Sequence, residues 1–135
     1  MLGYGAARTT RDVDVYELPD DVRDAVAVVA AELELDESWM NDSARAFMRD
    51  ASQGRVVFEG PGLTVRCAET EQLLAMKLCA GRDEADWEDA TLLLSALGGD
   101  RDQIRLRLER FWVPGKQKQG LENFEDLWEQ VHGPR

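Results

Sequence analysis

The chain has 135 residues, 44% of them hydrophobic and 32% charged, which suits one folded domain with a core of its own and excludes chain-wide disorder. A formal net charge of -11 excludes a broad nucleic-acid surface, because such a surface needs clustered Lys and Arg to displace phosphate counterions. Cys67 and Cys79 lack CxxC spacing and read as buried free thiols, and MLGYGAART has no apolar h-region, so a cytoplasmic protein without a membrane partner is expected.

Residues 12–17 alternate as a short strand, and Pro19 both ends it and opens a helix running to about Leu35. Val22, Val26, Val29 and Leu33 recur at helical spacing, so that helix should cover a sheet with one apolar face. In ESWMNDSARAFMRD, Asn41 or Asp42 can cap a second, shorter helix with Ala44, Phe47, Met48 and Ala51 on one stripe and Trp39 at its entry. GRVVFEG and GLTVRCA are β-rich runs joined around Gly60, Pro61 and Gly62, which predicts a hairpin.

After Ala68 the pattern turns helical. EQLLAMKLCAG ends at Gly81, a C-cap, and DWEDATLLLSALGG ends at Gly98 and Gly99. IRLRLERFW directs Ile104, Leu108, Phe111 and Trp112 inward before Pro114 and Gly115 stop it. In the last helix, Leu121, Phe124, Trp128 and Val131 form the stripe expected to dock on the domain or on a partner subunit. His132, the sole histidine, falls near that helix's C-terminus, where a positive charge is favoured. Arg8 with Arg11, and Arg101, Arg105, Arg107 and Arg110, are the local basic clusters; charge on a late helix is ordinarily a solvated face.

Asp12 and Asp14 are the candidate chemistry. Alternate strand positions share a face, so the two carboxylates can converge on one cation, and Mg²⁺ takes one or two protein carboxylates alongside phosphate oxygens and waters. Thr9, Thr10 and Arg11, just before them, offer hydroxyl and guanidinium groups suited to phosphate. The bland alternative is an edge strand with a solvated acidic face. A second DxD, Asp100 and Asp102, follows Gly98 and Gly99 at a helix start, where capping and the helix dipole account for acids without a ligand.

YGAARTTRDVDV at 4–15, WMND at 39–42 and ETEQLLAMKLCAGRDEADWED at 69–89 together resemble the nucleotidyltransferase superfamily, in its small prokaryotic branch related to abortive-infection and toxin-antitoxin nucleotidyltransferases. The resemblance covers roughly residues 2–97. It implies an α/β (α+β) fold, a small mixed sheet packed by helices, over residues 1–98, with 99–135 a helical C-terminal extension on the same domain. It makes Asp12 and Asp14 metal ligands and catalytic groups, with Mg²⁺ as cofactor and a nucleoside triphosphate as substrate. Thr10, Arg11, Lys77 and Arg82 become nucleotide-binding residues, with Asp86 and Asp89 supporting Lys77 or Arg82. By spacing alone, Lys77 is equally a snorkelling stem, and Arg82, Asp86 and Asp89 equally a surface ion-pair set.

Three features depart from the superfamily's pattern. The Gly-Gly or Gly-Ser phosphate-binding motif that precedes the DxD strand is not found, and Gly3 and Gly5 are not that motif. The later strand LTVRC carries Thr64 and Arg66 where a third carboxylate is wanted, with Glu59 and Glu69 flanking it. Residues beyond about 100 are not covered. Two expectations follow: a nucleotidyltransferase acting on an unknown acceptor, or a catalytically degenerate module that binds nucleotide or a protein partner. Without its helical lead-in, the first strand would leave apolar surface for a homodimer or partner to cover.

Overall fold

The computed structural model describes residues 12–81 and 84–134, and these form two compact units, one ending at Met48 and the other beginning at Arg49. The class is α+β, helices with small sheets. Among the described residues the strands pair as two separate two-stranded sheets.

The smaller unit is a β-α-β arrangement. Strand β1 (Val13–Asp14) pairs in parallel with β2 (Met40–Asn41), Val13 opposite Met40 and Asp14 opposite Asn41. Parallel neighbours need a crossover, and helix α1 (Asp20–Glu32) supplies it. Pro19 sits at the helix N-cap with φ -56, and Asp20 and Asp21 place negative charge in the first turn, where the helix dipole favours it. Val26 and Ala30 are buried, whereas Leu33 is 64% exposed. Leu33 is already the C-cap, so the apolar stripe ends a turn earlier than the sequence spacing predicts.

Residues 39–51 differ from expectation. Met40 and Asn41 are strand, and Ser43–Phe47 is a 3-10 turn rather than an α-helix. Asn41 Oδ1 accepts the Ser43 N–H at 3.0 Å, and Met48 is extended again, so five residues are too few to nucleate a stable α-helix. Phe47 is consequently 61% exposed. Trp39 is not an entry plug. Its indole N–H donates to the Val26 carbonyl at 3.2 Å and ties the approach of β2 to α1.

The larger unit opens with the expected hairpin, β3 (Val56–Gly60) and β4 (Leu63–Arg66), in which Phe58 faces Val65, Glu59 faces Thr64, and Val57 is an extra residue at an irregularity. Its base is held by Gln72, only 2% exposed, whose amide donates to the Asp50 carbonyl at 2.6 Å and accepts the Ser52 N–H at 3.0 Å. The Ser52 hydroxyl oxygen in turn accepts the Glu69 N–H at 2.7 Å.

Helices α2 (Thr70–Ala80), α3 (Glu84–Ala96), α4 (Arg101–Leu108) and α5 (Gln117–His132) surround one core. Leu74, Leu78, Leu93, Leu94, Ile104, Leu108, Phe124 and Leu127 are its fully buried side chains, so the helices past residue 98 and those before it share it. Gly120 lets α5 come close: a Cβ there would lie 2.8 Å from the Trp112 ring and 2.9 Å from Cys79 Sγ. Asp100 begins α4 with a capping box. Its side chain accepts the Gln103 N–H at 2.9 Å, and its own N–H reaches Gln103 Oε1 at 3.1 Å. That reciprocal pair accounts for Asp100 without a ligand.

Candidate functional site

Strand β1 is pinned from both sides of Asp14. The Val13 N–H donates to the Trp39 carbonyl at 2.6 Å and the Val15 N–H to the Asn41 carbonyl at 2.8 Å. Extended backbone held at 13 and 15 sends the side chains of Asp12 and Asp14 to one side, and both residues are exposed. The opposite side is less buried than alternation predicts, since Val13 is 40% exposed and Val15 half-buried. Thr10 and Arg11, expected beside this pair, lie outside the described residues, as does Arg82.

Elsewhere in the smaller unit, the Arg45 guanidinium stands 5.6 Å over the Tyr16 ring, and Arg23 contacts Asp42 at 3.2 Å and the Leu18 carbonyl at 3.3 Å. An open groove of about 600 Å³ runs along α1, lined by Leu18, Val26, Ala27, Ala30 and Met40 with Arg23 among them. Asp12 and Asp14 do not line it.

In the larger unit the structure brings Lys77, Asp86 and Asp89 together. Lys77, in the last turn of α2, places Nζ 2.8 Å from Asp86 Oδ1 and 2.9 Å from Asp89 Oδ2. Asp86 and Asp89 are three apart on α3, hence on one helix face, and each is only 6% exposed. This is therefore a buried ion cluster and not a surface ion-pair set. Lys77 keeps 30% of its side chain exposed, its stem covered and its ammonium at the boundary. Burial alone would depress its pKa, but the hydrogen bonds and charges of Asp86 and Asp89 outweigh that and raise it above the ordinary 10.5. The depression beside it, lined by Lys77, Asp86, Trp87 and Asn123, has a cavity volume of about 0 Å³, whereas small-molecule pockets begin at roughly 300 Å³.

Glu59 is a strand residue, paired across the hairpin with Thr64, and so occupies a position beside the one where a third carboxylate is wanted. Cys79 is buried and Cys67 partly so, both unbridged; burial pushes the Cys79 thiol up. His132 closes α5 stacked on Trp128, ring centroids 4.0 Å apart, with Nδ1 3.3 Å from the Trp128 carbonyl. Two polar residues that sequence reasoning passed over, Gln72 and Asn123, take up buried or half-buried roles. For Gln72 the available signal was its helical spacing with buried Ala75 and Cys79.

Among the described residues no helix is long and apolar enough to cross a membrane. Comparison with protein-family models, curated proteins and solved structures finds no match for this chain.

Proposed function

We propose that the chain is a nucleotidyltransferase-like protein that takes a magnesium-bound nucleoside triphosphate at Asp12 and Asp14 and passes its nucleoside monophosphate to an acceptor hydroxyl, with pyrophosphate leaving, in a toxin-antitoxin-like setting. The observation that supports it most is that both acids, two residues apart, are exposed where the Val13 and Val15 N–H groups bond to the residues of and before β2. Hard oxygen donors, two in number and open to solvent, suit Mg²⁺, which keeps its remaining positions for phosphate and water. Bound there, the ion would offset the charge of the phosphates and orient them. Without it, two aspartates on a chain of net charge -11 repel a triphosphate, so binding has to be metal-dependent.

Calorimetry with ATP, GTP, CTP and UTP, each with and without Mg²⁺, tests this reading. Heat of binding only when the cation is present supports it; none with any nucleotide removes it. Labelled nucleotide then reports transfer, which Asp14→Asn should abolish.

A second reading, a catalytically degenerate module that works by binding a nucleotide or protein partner, is favoured by the state of Lys77. Its ammonium already serves two buried carboxylates, which is what a structural tie does and what a phosphate ligand can do only with its remaining N–H. Metal-dependent nucleotide binding without transfer to any acceptor would select this reading.

A further inference from the structure

Lys77 lies in the last turn of α2, and a residue far along the sequence holds that helix end. Gly81 caps α2 in the left-handed region at φ 45, and its N–H donates to the Lys77 carbonyl at 2.8 Å. The neighbouring carbonyl of Leu78 is among the last four of α2, which have no partner within the helix. Asn123 Nδ2, from α5, donates to it at 2.7 Å. The same nitrogen would stand 2.7 Å from a Cβ at Gly81, so the amide fits against the turn only because that residue has no side chain. Asn123 also lines the depression that exposes Lys77. One side chain therefore touches the cap and satisfies the carbonyl of the residue next to Lys77.

We infer that Asn123 is a positioning residue for Lys77, and that α5, outside the stretch resembling nucleotidyltransferases, completes the Lys77–Asp86–Asp89 cluster. Asn is a poor helix former in a helix interior, where Ala or Leu would be favoured by propensity, so its place in α5 costs local stability that the contact to α2 offsets. The inference does not depend on the nucleotide reading. Its readout is the titration of Lys77 itself, and failure to bind nucleotide leaves it standing.

The experiment follows the Lys77 side-chain carbon signals by NMR through alkaline pH in the full chain. Asn123→Leu keeps the approximate shape of the side chain and removes its donor. Phe124→Leu, next to it and fully buried, loosens the core while keeping the Asn123 donor. The expected result is that Asn123→Leu lowers the Lys77 midpoint toward the ordinary lysine value, while Phe124→Leu leaves it in place. If Asn123→Leu does not fold, Asn123→Ser is read in the same way. An unmoved midpoint in the Asn123 variant that folds, or equal movement in both Asn123 and Phe124 variants, overturns the inference.

Discussion

The two units treat aspartate in opposite ways. In the larger one, eight large side chains are less than 2% exposed, and Asp86 and Asp89 are drawn into that interior by Lys77. In the smaller one, Leu18, Val26 and Ala30 are the buried hydrophobic residues among those described, and Asp12 and Asp14 are exposed, Asp14 on the two-residue strand β1 and Asp12 just before it. A carboxylate in the first setting must be paired or it destabilises the fold; in the second, water already solvates it. The contrast separates buried acids from exposed ones, and each unit offers a way to break it.

The largest effect should come from the shared helical core. Phe124→Ala removes a fully buried ring and should cost about 3–5 kcal/mol in denaturant unfolding, whereas Val28→Ala, at a position 56% exposed on α1, should stay within about 0.5 kcal/mol. Comparable losses would mean that the two units do not differ in packing as described.

Next is the ion cluster. Lys77→Met leaves two buried carboxylates without this ammonium, and with Lys77 partly exposed to water a loss of about 2 kcal/mol is expected, below the range for a fully buried pair. Lys77 has a raised pKa in the folded chain, so its contribution is complete below the unfolded value near 10.5 and disappears as pH rises through the higher folded value. The melting-temperature gap between wild type and Lys77→Met should therefore be constant from neutral pH to about pH 10 and close above it. A gap that closes on the acid side of neutrality alone would assign the stability to other groups.

Gly81→Ala should cost about 1–2 kcal/mol, because a side chain at φ 45 is strained and its Cβ meets Asn123 Nδ2. Gly98→Ala, where a Cβ meets nothing within 4 Å, is the control and should melt close to wild type.

Much of the larger unit was legible in its sequence. Gly81 and Gly98 punctuate α2 and α3 because helix ends have a chemistry of their own, and the hairpin declared itself through Pro61 and Gly62 between two β-rich runs. Less legible were features set by tertiary contact. Residues 43–47 carry a helical stripe but are too few to hold an α-helix, and β2 is a strand only because β1 lies beside it. In α5 the expected stripe of Leu121, Phe124, Trp128 and Val131 meets the core through fully buried Phe124, with Trp128 and Val131 packed partly buried against it; Leu127 and Gly120 are buried as well, and Gly120, which carries no hydrophobic signal, marks the closest approach.

The candidate site divides along the same line. The spacing of Asp86 and Asp89 showed that they share a helix face, yet their burial and their common hold on Lys77 depend on how α2 and α3 pack. For Asp12 and Asp14 alternation says only that they share a side, because a strand fixes side-chain direction locally. Asn123 acts across 45 residues of sequence, and no local pattern encodes such a contact.

The most direct test sets one acid from each unit side by side: magnesium-dependent nucleotide binding and thermal stability measured on Asp14→Asn and Asp86→Asn. The account predicts that Asp14→Asn melts like wild type but loses the nucleotide-induced stabilisation, which is about 2.7 kcal/mol for a ligand at a hundred times its Kd, while Asp86→Asn melts lower. Undiminished binding by Asp14→Asn, or an unchanged melting temperature for Asp86→Asn, would contradict it.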